Sequence, residues 1–467
     1  MANEEMNFDW SASQQIEEQN FPADTLRRSQ YAELLTKYLC ERSLQRSYVL
    51  NINSKWGSGK TYFIKRWVQT LDAHFDVVYV DAWKYDYSDD PLLTVISEIK
   101  KQVPRLSDKL SQLKIIGAMA KAGLPNLVSG FVKKYIGFDA ESLGEKIEAD
   151  FLASSTEKAT EVLLQSFEQQ REAISSFKNY LRELEPEKNK EKPFFIFIDE
   201  LDRCRPTYAI ELLETVKHLF DVPEFVFVIA TDTEQLAHSI CAIYGQGFDA
   251  RTYLSRFFDD SYKLPDRDIR PFIESIGFPK LFDVAKDLVT PICENDSLIV
   301  AVCALFRHFN VSLREIEKTV ARFQLFILQV EHKQKSFDPL FTILALIMGN
   351  CDKTLLDSVF NEGKVFYRSG LLNGLSRIEV TVYEEKQRTC TTNLKSLLTD
   401  RQKALNGEIT SLTVMQELQA YGSRSGKYPP RDHDIYRKIA IVYQPQNRDH
   451  LSVSEYQAIL ENATLLE

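Results

Sequence analysis

Six residues, Trp56-Gly57-Ser58-Gly59-Lys60-Thr61, constrain this chain more than any other stretch. They follow a short apolar run, Tyr48-Val49-Leu50-Asn51-Ile52, and open a helical pattern, Tyr62-Phe63-Ile64-Lys65-Arg66-Trp67. Strand, glycine turn, Gly-Lys-Thr and helix together are the setting a phosphate-binding loop requires. Backbone N–H groups of the turn and of the helix start can cradle a phosphate chain there. In that reading Trp56, Gly57, Ser58, Gly59, Lys60, Thr61 and Tyr62 are nucleotide-binding candidates. Lys60 reaches the β/γ-phosphates and the Thr61 hydroxyl binds Mg²⁺. The full pattern asks for glycine where this chain has Ser54, while Gly57 and Gly59 stay where backbone must approach phosphate. The plainer alternative is an ordinary Gly-rich turn before a helix.

The apolar runs around this loop set the fold class. Phe75-Asp76-Val77-Val78-Tyr79-Val80-Asp81-Ala82-Trp83, Pro193 to Glu200 and Phe225 to Asp232 each read as a buried strand, apolar almost throughout. Helical patterns alternate with them, over Pro91 to Val103 and Ala209 to Phe220. Such alternation predicts an α/β fold, a parallel sheet covered by helices on both faces. Hydrophobic content of 44% and charged content of 27% are those of a globular chain with a sizeable core.

A net charge of −10 argues against a wholly electrostatic nucleic-acid binder, though a local basic groove stays open. The seven cysteines are scattered and contain no C-x-x-C pair, which fits buried thiols of a reducing, cytoplasmic compartment. The seven histidines form no H-E-x-x-H pattern, so no structural metal is expected. No stretch of uncharged apolar residues is long enough to span a bilayer, and no transmembrane anchor is expected. Leu113 to Phe138 comes nearest and is broken by Lys114, Lys121, Pro125, Lys133 and Lys134. It reads either as a buried or partner-facing helical segment or as a membrane-surface one.

A nucleotide triphosphatase needs an acid at a strand's C-terminal end beside the loop. Ile196-Phe197-Ile198-Asp199-Glu200 supplies two. Asp199 would hold Mg²⁺ with Thr61, and Glu200 would polarise the attacking water. Thr231-Asp232 ends the next strand, where Asp232 is a candidate sensor of the terminal phosphate or the N-cap of the following helix. Arg256 and Arg314 are candidate cations for the charge that develops in phosphoryl transfer, in cis or from a neighbouring subunit.

These segments together resemble the KAP family of P-loop NTPases over roughly residues 20–330. The resemblance rests on Asp24-x-Leu26-x-Arg28-x-x-Tyr31-Ala32, on Trp56 to Thr61 and on Asp81-Ala82-Trp83-Lys84-Tyr85. It is strongest at Phe197-Ile198-Asp199-Glu200-Leu201-Asp202-Arg203-Cys204-Arg205-Pro206. The family implies the additional-strand type of P-loop NTPase, AAA+/STAND-like, with ATP and Mg²⁺ as cofactors. It also implies an insertion between the two Walker motifs and, for bacterial members, phage exclusion. By similarity to AAA+ second-region elements, Arg256 is an arginine-finger candidate and Arg314 a second sensor. Arg28 is expected on the adenine or phosphate side, and Asp202 and Arg203 are expected to position Glu200 or touch a subunit.

The expected organisation is a flexible leader at 1–22, a core with Walker A at 23–103 and a helical insertion at 104–192. A core with Walker B and sensor at 193–265, a helical lid-like subdomain at 266–330 and a mainly helical region at 331–467 complete it. In that last region Tyr421 to Arg431 mixes Arg424, Lys427 and Arg431 with Tyr421 and Tyr428, a solvated loop or a face for nucleic acid. The expected function is an Mg²⁺-dependent ATPase, the regulatory or motor subunit of a bacterial anti-phage system. Its expected partners are further copies of itself and other defence subunits. The alternatives are a nucleotide-gated module with little hydrolysis and a membrane-associated scaffold.

Overall fold

A computed structural model describes residues 6–88, 91–104, 191–219, 221–265, 268–285, 288–289, 295–351, 379–383, 389–405 and 451–464, with isolated positions at 175–190 and 416–417. Leu113 to Phe138, nearly all of the expected insertion and Tyr421 to Arg431 lie outside the described residues. The chain divides into two compact units, Met1–Pro265 and Asp266–Glu467.

The first unit is built on five parallel strands: β3 (Tyr48–Asn53), β4 (Phe75–Asp81), β5 (Glu191–Asp199), β6 (Phe225–Thr231) and β7 (Asp260–Lys263). Their spatial order is β4-β5-β6-β3-β7. The strand carrying Asp199 is therefore separated from the loop-bearing β3 by β6, the extra strand that the additional-strand type requires. Residues alternate between the two faces, as the period of a strand dictates. Leu50, Ile52, Phe195, Phe197, Val226 and Val228 pack with α1 (Ser29–Arg42) and α2 (Lys60–Leu71). Val49, Val78, Val80, Ile196, Ile198 and Phe227 pack with α3 (Pro91–Gln102), α4 (Pro206–Leu219) and α5 (Thr233–Tyr244). Apolar burial on both faces explains why the strands carry almost unbroken apolar runs.

Residues 6–22, expected as a flexible leader, are instead folded. Strands β1 (Gln14–Ile16) and β2 (Gln19–Phe21) form an antiparallel hairpin. Trp10, Ile16 and Phe21 are buried. The buried Arg66 of α2 explains the correction, because its guanidinium donates to the Ala12 carbonyl and lies 5.5 Å from the Trp10 ring. Strand β7 was also unforeseen. Its sequence, Asp-Ser-Tyr-Lys, is short and polar, as suits a half-exposed edge strand.

The second unit is mostly helical: α7 (Arg270–Ser275), α8 (Phe278–Ala285), α9 (Asn295–His308), α10 (Leu313–Lys333), α11 (Pro339–Cys351), α12 (Leu394–Leu405) and α13 (Val453–Thr464). The first unit's last helix, α6 (Ala250–Leu254), precedes β7. Ser312 and Glu315 close a capping box at the start of α10. An antiparallel hairpin, β8 (Glu379–Tyr383) with β9 (Thr389–Asn393), interrupts the helices. The expected division after residue 330 does not mark a boundary. Helix α10 runs through that position, and Phe323, Phe326, Phe337, Phe341 and Tyr456 share one core across it.

Candidate nucleotide site

The C-terminal ends of β3, β4, β5 and β6 gather the sequence-predicted residues. After Asn53 the chain turns at once, with the Ser54 N–H donating to the Thr231 carbonyl. Gly57 and Gly59 hold φ of +74° and +84°, left-handed backbone that a side chain would strain. Gly59 in that region followed by helical Lys60 is the backbone of an anion-binding nest. Ser58 Oγ is buried in the same loop and has no hydrogen-bond partner among the described residues. A buried, unpartnered hydroxyl beside helix-start N–H groups fits a phosphate chain.

Each predicted loop residue has a definite place. Lys60 is 8% exposed, and its Nζ donates to the Ser54 carbonyl at 2.5 Å, folded back over the loop. Thr61 Oγ1 donates to Glu200 Oε1 at 3.1 Å. The Trp56 N–H donates to Asp232 Oδ2 at 3.2 Å, and its indole N–H donates to Asp202 Oδ2. Asp232 Oδ1 also accepts from the Gln235 N–H, so this residue caps α5 as well as anchoring the loop. Tyr62 points away from the turn, its hydroxyl donating to the Pro22 carbonyl at 2.9 Å, and burial raises its pKa to about 12.

Asp199 and Glu200 differ in surroundings. Strand alternation aims Asp199 at the α2 side, where it is fully buried, in line with Phe195 and Phe197. It accepts from the Glu200 N–H at 2.9 Å and from the Tyr79 hydroxyl at 3.3 Å. Burial, then the neighbouring Glu200 charge, raise its pKa to about 6, opposed by hydrogen bonds from Thr61 and the Glu200 backbone and by the Lys60 charge. Glu200 is partly exposed and sits in left-handed backbone, φ +60° and ψ +25°. Its Oε2 pairs with Arg203 Nε at 2.5 Å, and the Arg203 guanidinium lies 5.4 Å from the ring of the exposed Trp83. Arg205 ties to Asp86 beyond that ring. The Asp81-to-Tyr85 and Asp202-to-Arg205 strings thus form one contact beside the acids.

The three predicted arginines take different places. Arg28 is buried under the loop, donating to the carbonyls of Ser58 at 2.6 Å and Gly59 at 3.0 Å. Arg256 is exposed and follows α6 directly. Helix α5 leaves the site and ends at Tyr244, about 18 Å further on for its length. Tyr244 packs 5.9 Å from Tyr253, which packs 5.1 Å from Phe257. The following Asp259 pairs with Val49, at the start of β3. Arg314 belongs to the second unit, exposed on the first turn of α10. Tyr79 and the Ser54 carbonyl join the site without having been foreseen. The β4 alternation that places Val77 and Tyr79 on one face was the available signal for Tyr79.

Thr61, Asp199 and Glu200 offer one hydroxyl and two carboxylates side by side, oxygen donors of the kind that hold Mg²⁺ together with phosphate oxygens and water. Among the described residues no group of three His, Cys, Asp or Glu forms a metal cage by itself.

Phage T7 exclusion protein of Escherichia coli K12 is 22% identical over 268 residues, covering 53% of this chain and 34% of that protein. The matched chain thus spans about a third of its relative's length. Among solved structures, the Aeropyrum pernix ORC2 protein is 12% identical, with 94% of each chain covered and a TM-score of 0.31. The Thermotoga maritima RuvB Holliday junction branch migration motor is 10% identical, covering 78% of this chain and 91% of its own, with a TM-score of 0.24. Likenesses of that TM-score bear no weight. The KAP family P-loop domain matches residues 28–277, more than half of the chain, and the chain belongs to the KAP family of P-loop NTPases.

Proposed function

We propose that this chain binds ATP with Mg²⁺ and hydrolyses it, as the regulatory or motor subunit of a cytoplasmic bacterial anti-phage system. One observation carries the reading: Lys60 and Thr61 of the loop meet Asp199, the last residue of β5, and Glu200 beyond it at one end of a parallel sheet. The nest at Gly59 and Lys60 takes the phosphates, with the loop from Trp56 to Thr61 and the backbone N–H of Tyr62 around them. Lys60 leaves the Ser54 carbonyl for the β/γ-phosphates. Thr61 and Asp199 hold the metal, which when bound neutralises charge on the phosphate oxygens. Glu200 orients a water and accepts its proton. Asp232 links the loop to the start of α5 and so registers the terminal phosphate. Arg314 is the second-sensor candidate. Arg256 serves a neighbouring copy, which makes the working form a homo-oligomer. The defence role, other defence subunits as partners and ATP over GTP rest on the family and on the phage-exclusion relative.

A nucleotide-gated module with little hydrolysis is the second reading. The pairing of Glu200 with both Thr61 and Arg203 favours it, because that carboxylate is engaged at both oxygens. Among the described residues no helix is long and apolar enough to cross a membrane, and Leu113 to Phe138, which a membrane-associated scaffold would use, lies outside them.

Turnover separates the two readings. Purified full chain given MgATP, alone and with nucleic acid, is expected to release phosphate, and Lys60→Ala to bind no nucleotide. Tight binding with no turnover under any condition would leave the gated module standing and remove the ATPase.

A further inference from the structure

Arg28 is 6% exposed and reaches the loop from below, Nη2 on the Ser58 carbonyl and Nη1 on the Gly59 carbonyl. Those two carbonyls belong to the peptide units whose other ends are the N–H groups of Gly59 and Lys60. In a trans peptide the C=O and N–H point in opposite directions. A cation on the carbonyl side therefore leaves the N–H side facing the nest, with the peptide dipole enhanced. The first N–H groups of α2 have no partner within the helix, so they are available to an anion.

The placement is held from several directions. Asp24 accepts from the N–H groups of Leu26 and Ser29, bracketing the turn that carries Arg28. The Asp24 N–H is itself tied to the Trp10 carbonyl. Arg27 takes left-handed backbone, φ +52°, to bring Arg28 inward at the start of α1. A planar fork spans two successive carbonyls, which a lysine ammonium does not.

Resting on the nucleotide-binding reading above, we propose that Arg28 is a positioning residue of the phosphate cradle. It fixes the Gly59–Lys60 nest and strengthens its N–H groups toward phosphate from behind, without touching the nucleotide. This places it on the phosphate side and removes it from the adenine side.

Calorimetric titration of the full chain with MgATP and with inorganic tripolyphosphate tests this, alongside thermal unfolding without ligand. Arg28→Met is expected to weaken both ligands by about tenfold or more, while Arg28→Lys recovers part of the loss. Binding of both ligands within about twofold of the parent overturns the assignment. Weakened ATP with unchanged tripolyphosphate also overturns it, since Arg28 then acts at the nucleoside. Should Arg28→Met fail to fold, Arg28→Lys carries the test: parental affinity for both ligands overturns the proposal, and loss of about threefold or more upholds it. If the parent chain binds neither ligand, the nucleotide reading itself falls. If the parent binds and only the Arg28 variants behave as the parent does, the Arg28 assignment falls alone.

Discussion

Thr61 Oγ1 and Glu200 Oε1 share a hydrogen bond of 3.1 Å, joining the hydroxyl assigned to the metal to the carboxylate assigned to water. The start of α2 and the residue that follows β5 thus meet through this contact. Thr61 would offer a metal its oxygen lone pairs while its proton stays hydrogen-bonded to Glu200 Oε1. Glu200→Gln keeps an oxygen acceptor for Thr61 and loses the proton acceptor. It is expected to cut turnover by about 10²-fold or more while leaving ATP affinity intact. Phosphate release and equilibrium titration check this, and lost binding would strip Glu200 of its role.

The raised pKa of Asp199 predicts a pH signature. The unfolded chain's Asp199 ionises near 3.8, whereas the native one keeps its proton to about 6. Between those values the native state holds the extra proton, so stability falls as pH rises through the window and levels off above it. The whole fall amounts to about 3 kcal/mol. Asp199→Asn keeps the acceptor for the Glu200 N–H and removes the buried charge. The variant is expected to be more stable than the parent at pH 8 by up to about 3 kcal/mol, with the difference shrinking toward pH 4. Denaturant unfolding without ligand at both pH values measures it. A pH-independent difference would refute the assignment of the shift to this group.

Arg203 holds Glu200 from the other side, and Trp83 supports Arg203. Glu200's left-handed backbone costs roughly 1–3 kcal/mol and persists because its neighbours fix it. A partly exposed ion pair contributes at most about 1 kcal/mol, so the fold should survive its loss. Arg203→Met is therefore expected to lower kcat by about tenfold with KM changed by less than about threefold. A rise in KM at unchanged kcat would place Arg203 in substrate binding instead.

The parallel sheet was legible because β3, β5 and β6 bury both faces and leave almost no polar residue inside. The pairing of Lys60 and Thr61 with Asp199 and Glu200 was legible because each follows directly from a strand's C-terminal end. The β1–β2 hairpin was not, since its burial depends on Arg66 and Tyr62 of a helix some 50 residues later. The side of the site that Arg28 serves, adenine or phosphate, stayed open in the sequence for a related reason: its partners, Ser58 and Gly59, lie 30 and 31 residues away. Strand β7 escaped because edge exposure replaces its apolar pattern with Asp, Ser and Lys.

Arg256 lies three residues before Asp259, which pairs with Val49 where β3 begins, whereas the loop lies where β3 ends. If Arg256 acts in phosphoryl transfer, as proposed above, that separation favours the site of a second copy over its own. Arg256→Ala is expected to bind ATP as the parent does and to turn over about 10²-fold more slowly. Glu200→Gln carries an intact Arg256 and an idle site. Mixing the two idle proteins should therefore restore turnover, because Arg256 of one copy completes the site of the other. Phosphate release from the mixture, titrated against protein concentration, reads this directly. Parental turnover by Arg256→Ala alone, or no recovery on mixing, would exclude a finger in trans.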